Sequence, residues 1–444
     1  MSNNIINQKQ LNKMAQAVSG DKVATAMRHA LFNNDPAKIA QVMDATADTQ
    51  FKFSIDIPTM SATNQMQSGR CWMFAACNVM REAIAKKYGL DSFELSQNYL
   101  TFYDKLEKIN YMMNSCIAMV AKPADDRTLT WVLDTGVQDG GQWDMIVSVV
   151  KKYGIAPKSA MPETYASSHT MYMGQLINAK MRRFNADIRR LHAAHKDAKI
   201  EPLRAKVMSE MYLFLSDCLG VPPVKFDFEY VDKDKKYHCD RNITPLAFYH
   251  DYLGIDLDDY VSVINAPTAD KPFGHVFTVA WLGNVQDGND IRYLNLPMKE
   301  FKALVLSQLS DGQLVWFGCD CGKYGSRDTN IWDDKMFDYQ SAFGSSFEIS
   351  KGDMLDNRHS SMNHAMVLCG VNLIRNKPTK WKIENSWGTE HANKGYHVAS
   401  DSWFDLLVYQ AVINKKYLTA EQVKMLQTKP IVLNPWDPMG SLAD

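Results

Sequence analysis

Three residues of this chain combine into one reaction. Cys71 offers a thiol that attacks, His364 an imidazole that takes and returns a proton, and Asn385 an amide that fixes the imidazole ring. Cys71 follows Gln65-Met66-Gln67-Ser68-Gly69-Arg70 and opens the run Cys71-Trp72-Met73-Phe74-Ala75-Ala76-Cys77. Ser68-Gly69 is turn-prone. Beyond it, Met73, Ala76, Cys77, Met80, Ala83 and Ile84 recur at helical spacing as one apolar stripe. Lys86 and Lys87 fall in the last turn, and Gly89 ends the helix. The spacing therefore predicts a helix with Cys71 at or near its N-terminus, where unpaired N–H groups and the helix dipole favour a thiolate. Gln65, six residues earlier, can fold its side-chain amide back towards the sulfur. A lone cysteine in a helix is more often an inert small hydrophobe; the flanking Gln65 and Trp72 weigh against that reading.

The other two residues lie almost 300 positions downstream. Asn363-His364-Ala365-Met366-Val367-Leu368-Cys369-Gly370 puts His364 at the mouth of a buried apolar strand, and Trp381-Lys382-Ile383-Glu384-Asn385 puts Asn385 at the far end of the next. Asn376-Lys377-Pro378 between them is turn chemistry. If the strands form a hairpin, His364 and Asn385 pair about a centre between Ile374 and Arg375, and their side chains are cross-strand neighbours. A one-residue slip turns one of them away. The acyl transition state also needs donors for its oxyanion; Gln65 and the Cys71 backbone N–H can supply them.

These residues carry a resemblance. Gln65, five intervening residues and then Cys71-Trp72, together with Asn385-Ser386-Trp387-Gly388, resemble the signatures of papain-like cysteine peptidases. The narrower form Gln65-x-x-Ser68-Gly69-Arg70-Cys71-Trp72 looks like the bleomycin hydrolase and aminopeptidase C branch. The resemblance implies an α+β fold of two lobes, one helical and one β-barrel-like, with helical insertions. It implies Cys71 as nucleophile, His364 as base, Asn385 as orienter and Gln65 as oxyanion donor. Gly140 and Gly141 would line the cleft, and Trp387 would shield the His–Asn bond and border the leaving-group side. His364 follows Cys71 at a longer interval than in papain itself, which fits large insertions. The branch also implies a homohexamer and a carboxyl-terminal arm, 431–444, lying in the cleft. Its terminal carboxylate, from Asp444 or from Ala443 after trimming, would face the substrate's amino group. Neither a cofactor nor a metal is called for.

The elements that must position these groups read as follows. Residues 1–160 form a mainly helical lobe with the nucleophile, 161–255 a helical insertion, and 256–430 a β-rich lobe with the histidine and asparagine. Strand candidates are Tyr260–Ile264, Val276–Leu282, Ile291–Leu296, Leu314–Cys319, Ala365–Val371, Trp381–Ile383 and Tyr396–Val398, with a helix at Met298–Leu309. Within 171–218 the sequence predicts one long or broken helix, basic from Lys180 to Lys206, whose apolar stripe needs a partner subunit. His192 and His195 share a face there without a third ligand, and Cys319-Asp320-Cys321 reads as strand-end packing rather than a metal site. Pro435, Pro438 and Gly440 predict an extended tail that buries Trp436, Met439 and Leu442.

Composition bounds the rest. With 46% hydrophobic residues, 22% charged residues and a formal net charge of −1, the 444-residue chain gives no reason to expect a general nucleic-acid or membrane binder. No apolar run approaches a bilayer span, and Met1-Ser2-Asn3-Asn4 lacks signal-peptide features. Eight cysteines are too sparse for a disulfide framework, so a reducing cytoplasm is expected. The reading is a cytosolic thiol aminopeptidase of broad specificity on short peptides. Its rivals are a papain-type endopeptidase and, from another class, a nucleic-acid-binding assembly protein using the basic stretch.

Overall fold

The computed structural model describes residues 5–43, 50–326 and 329–443. At its centre is the helix Cys71–Tyr88, ended by Gly89 in the left-handed conformation (φ 65°) as its sequence predicts. It is not the one-sided helix of the stripe reading: every residue from Cys71 to Met80 is buried. A helix apolar all round belongs inside a core, and this one has the helix Gln97–Ala118 and the helix Trp143–Tyr153 on one side and the sheet on the other.

The sheet is built from short strands in the second half of the chain. They are β4 (Tyr260–Ile264), β5 (Val276–Val279), β6 (Tyr293–Asn295), β7 (Val315–Cys319), β8 (Gly325–Ser326), β9 (Ile331–Trp332), β10 (His364–Ile374), β11 (Lys377–Glu384), β12 (Tyr396–Ser400), β13 (Val408–Asn414) and β14 (Ile431–Leu433). Their order is β14-β5-β6-β4-β13-β7-β10-β11-β12-β9-β8, and the early strand β1 (Ile55–Asp56) joins along β10. Antiparallel β7, β10 and β11 lie in the middle; burial on both faces explains the continuous apolar runs of β7 and β10, whereas β11 alternates Lys380, Lys382 and Glu384 with Trp381 and Ile383. One core cluster lies between the sheet and the helices around Cys71; a second lies behind it, under the helices Met298–Ser310 and Asp401–Leu407. The chain is thus α+β, with the nucleophile helix packed directly on β10 and β7.

The β10–β11 hairpin forms, but not in the register expected. Its turn is Arg375-Asn376, both with positive φ, so the strands pair as Ile374↔Lys377. Irregularities between Leu368 and Gly370 and between Asn372 and Leu373 shift the ladder twice, and it ends at Val367↔Glu384. His364 and Asn385 are therefore not directly opposite each other.

The stretch 161–255 is not all helix. Two helices, Met171–Ala193 and Ile200–Leu219, are followed by a hairpin of β2 (Phe226–Val231) and β3 (Tyr237–Ile243) and a short helix, Pro245–Tyr252. The apolar stripe Met173, Ile177, Met181, Phe184 and Ile188 is buried within the chain, where this helix packs on Gln97–Ala118. The stripe therefore needs no partner subunit to cover it. His195 falls past the helix end with φ 53°, so it does not share a helix face with His192, which instead contacts Asp197.

Candidate active site

The site is assembled where the start of the Cys71 helix meets the start of β10. No side chain caps that helix, which leaves its first N–H groups available. The Cys71 sulfur accepts the backbone N–H of Ala365, the residue after His364. Burial pushes the Cys71 thiol up to about 11, against the N–H groups of Ala365 and Trp72, which pull it down. Desolvation thus outweighs the helix start, contrary to the thiolate expectation.

Asn385 reaches His364 from beyond the end of the ladder. Its Oδ1 lies 2.8 Å from His364 Nε2 and also accepts the Ser386 N–H at 2.8 Å. A backbone N–H can only donate, so this atom is an oxygen and His364 Nε2 carries the proton. The other ring nitrogen, Nδ1, is left as the base. Burial lowers His364 to about 4, with the Asn385 bond opposing it. Trp387 stacks on the imidazole with centroids 5.0 Å apart. Trp387 is in turn braced edge-on by Trp332 and His397.

Gln65 is buried and held at both ends of its amide. Its Oε1 accepts the Ser386 hydroxyl at 2.7 Å, and its Nε2 donates to the Ser68 carbonyl at 2.6 Å. Its backbone N–H donates to Ser386 O at 2.9 Å. One of the two Nε2 hydrogens remains. Gln65 and Asn385 are therefore joined through the single residue Ser386.

Gly140 and Gly141 are glycines because both sides of their strand are occupied. A side chain on Gly141 would meet the Trp72 ring at 2.5 Å, and one on Gly140 would meet the carbonyl oxygen of Leu442 at 2.3 Å. That oxygen accepts the Gly141 N–H at 3.0 Å. The carboxyl-terminal arm thus lies on the glycine strand. It is anchored along its length: Arg127 sits 3.6 Å over the Trp436 ring, Lys271 pairs with Asp437 at 3.0 Å, and the Ser441 hydroxyl donates to Met362 O at 2.8 Å. Met439, Leu442 and Ala443 are buried. The expected extended arm holds only as far as β14; from Pro438 to Ala443 it is a 3₁₀ turn, because proline is tolerated in the first turn and the run is too short to need more N–H donors. Asp444 lies outside the described residues.

Residues 5–440 match the sequence profile of the Peptidase C1-like family. The chain belongs to that family. Among its relatives, aminopeptidase C of Listeria innocua is 47% identical over 397 residues, covering 89% of this chain and 90% of the relative. Aminopeptidase C of Lactobacillus helveticus is 42% identical over 442 residues, covering 99% and 98%. The crystal structure of PepW from Lactobacillus rhamnosis HN001 superposes with a TM-score of 0.96 at 47% identity, covering 98% of this chain and 99% of that one. The papain-like α+β architecture expected from the motifs is the fold of this C1-like chain.

Within this C1-like site, the sequence did not mark the Ser386 hydroxyl as the group that locks Gln65, although Ser386 lies inside the Asn-Ser-Trp-Gly motif. It also gave no sign of Asp139, Lys105 and Lys108 beneath the glycine strand.

Proposed function

We propose that this chain is a cysteine-type aminopeptidase that removes amino-terminal residues from short peptides through an acyl-enzyme on Cys71. In the closed site the thiol and imidazole rest neutral. Attack of Sγ on the scissile carbonyl transfers the thiol proton to His364 Nδ1, while Asn385 holds the ring through Nε2. The free Nε2–H of Gln65 and the Cys71 N–H stabilise the oxyanion. As the C–N bond breaks, His364 returns that proton to the leaving amine. Water, deprotonated by the same imidazole, then splits the thioester and restores the thiol. Trp387 keeps water from the His364–Asn385 bond.

The observation that carries the amino-terminal preference is the Gly141–Leu442 hydrogen bond. A glycine strand of this kind receives substrate backbone, and here the arm already occupies it. A peptide can therefore extend only a short way beyond the scissile bond on that side, with its ammonium turned towards the Leu442–Ala443 turn. An endopeptidase of papain type needs that strand open, so the arm favours the aminopeptidase. Eight free cysteines suit a reducing cytoplasm.

Assembly as a homohexamer is part of the same reading. Its support is apolar side chains on the insertion helices that nothing among the described residues covers: Tyr172, Leu176 and Leu213 are 71%, 59% and 63% exposed. The nucleic-acid alternative loses support because several of the basic residues there are engaged. Lys180 pairs with Glu210, Arg190 with Asp187, and Arg204 with Glu201.

Limited iodoacetamide treatment with peptide mapping tests the nucleophile. Loss of aminopeptidase activity should follow Cys71 modification one for one, and Cys71→Ala should be folded and inactive. Inactivation that follows Cys77 or Cys319 instead contradicts the assignment.

A further inference from the structure

Beneath the glycine strand lies a buried ion pair that the chemistry above does not use. Lys105 Nζ pairs with Asp139 at 2.7 Å, and the lysine side chain is only 1% exposed. The Asp139 carboxylate also accepts the Gly69 N–H at 3.0 Å and the Thr170 hydroxyl, and its backbone carbonyl accepts Trp72 Nε1 at 2.7 Å. Burial raises this carboxyl, but Lys105 and the hydrogen bonds hold it well below the usual carboxylate range, so it is ionised. Next to it, Lys108 Nζ holds the Gly140 carbonyl at 2.5 Å and pairs with Asp104 at 2.8 Å.

Burying charges costs stability, and apolar groups of the same volume would fill such a space as well or better. What apolar groups cannot do is fix two chain segments in one register. Asp139 touches both segments that bear on the reacting carbonyl: the loop from Gln65 to Arg70, through Gly69, and the strand at Gly140–Gly141, which it directly precedes. Gly69 fits only as glycine here, since a Cβ would lie 2.9 Å from Asp139 Cβ.

We propose that the Lys105–Asp139 pair is a positioning device that sets the Gln65 loop against the glycine strand, so that the Gln65 amide and the Cys71 N–H converge on one carbonyl oxygen. The proposal rests on the peptidase reading above. Neither residue touches substrate; each acts through the loop and the strand. Misplacement of an oxyanion donor by a fraction of an ångström to one ångström costs up to about 10²-fold in rate.

The test is the double variant Lys105→Met/Asp139→Asn, which leaves no unpaired buried charge. Four quantities are read: kcat and KM on an unblocked peptide, inhibition by an amino-aldehyde, and the rate of Cys71 alkylation by iodoacetamide. The aldehyde forms a hemithioacetal whose oxygen needs the same donors, whereas alkylation needs none. The expected result is a kcat lower by roughly 10- to 100-fold, aldehyde affinity lower by a similar factor, and KM and alkylation changed by less than about threefold. Gly69→Ala, which pushes the loop off Asp139 with both charges kept, should give the same split if the double variant does not fold. Unchanged kcat and aldehyde affinity in a folded variant overturns the proposal. So does a loss of alkylation in step with kcat, which marks a general collapse of the site. Wild-type activity that survives complete Cys71 alkylation would instead sink the peptidase reading, a result distinct from either.

Discussion

Gly141 donates its backbone N–H to the carbonyl oxygen of Leu442 at 3.0 Å, so the turn Pro438–Ala443 sits on the extended segment at Gly140–Gly141. The contact is backbone to backbone and depends on no side chain of Leu442. Deleting Ser441–Asp444 should therefore vacate the strand without disturbing β14 or the Lys271–Asp437 pair. The expected outcome is slower removal of amino-terminal residues together with new cleavage inside amino-blocked peptides, read by mass spectrometry of the products. A truncated enzyme that still rejects blocked peptides would show that the tail is not the gate.

Gln65→Ala should lower kcat by about 10²- to 10³-fold, the usual cost of one oxyanion donor. Ser386→Ala should lower it less, because Gln65 keeps its Ser68 contact and only loses the hydroxyl that orients it. Thermal unfolding should barely move for Gln65→Ala. A kcat within twofold of wild type would show that the donor is misassigned.

Two buried histidines work against the fold in acid, while Asp144 and Glu384, raised by burial to about 7, act in the opposite sense. Burial lowers both His364 and His397 from 6.5 to about 4. Below 6.5 the unfolded chain takes up protons that the folded chain refuses. Their contribution to stability is therefore complete above that value and is lost as the pH falls towards 4, by about 3 kcal/mol for each at the acid end. The acid limb of kcat/KM should follow His364 and lie well below 6.5. Trp387→Ala, which lets water reach the His364–Asn385 bond, should move that limb upward. A wild-type limb at 6.5 that Trp387→Ala leaves in place would contradict this account of the imidazole.

Leu176→Glu with Leu213→Glu should break the assembly while leaving the buried stripe of the same helices intact. Light scattering of the wild type at micromolar concentration is expected to give a multiple of the 50.4 kDa chain, and the variant a single chain. A wild-type monomer would reject the assembly.

What was legible in the sequence, and what was not, follows from where each signal resides. The Cys71 helix was legible because its boundary signals are local: the Ser68-Gly69 turn precedes it, and Lys86, Lys87 and Gly89 end it within one turn. The nearness of His364 and Asn385 was legible from hairpin symmetry, but the register was not. Two bulges and a turn placed at Arg375-Asn376 are decided by packing against β7 and β12. The hairpin of β2 and β3 was hidden by its polar, exposed residues. Lys105 and Lys108 carry no local signal at all, since only the tertiary structure brings Asp139 and Gly140 over them. The buried stripe at Met173 to Ile188 was legible as a stripe, while its partner, a helix of the same chain, was not.

Cys71 chemistry should be confined to free amino termini. Mass spectrometry of one short peptide, presented with a free and with an acetylated amino terminus and incubated with equal enzyme, decides this. The free peptide should lose single residues stepwise, and the acetylated one should stay intact. Internal cleavage of the acetylated peptide at a comparable rate would contradict it.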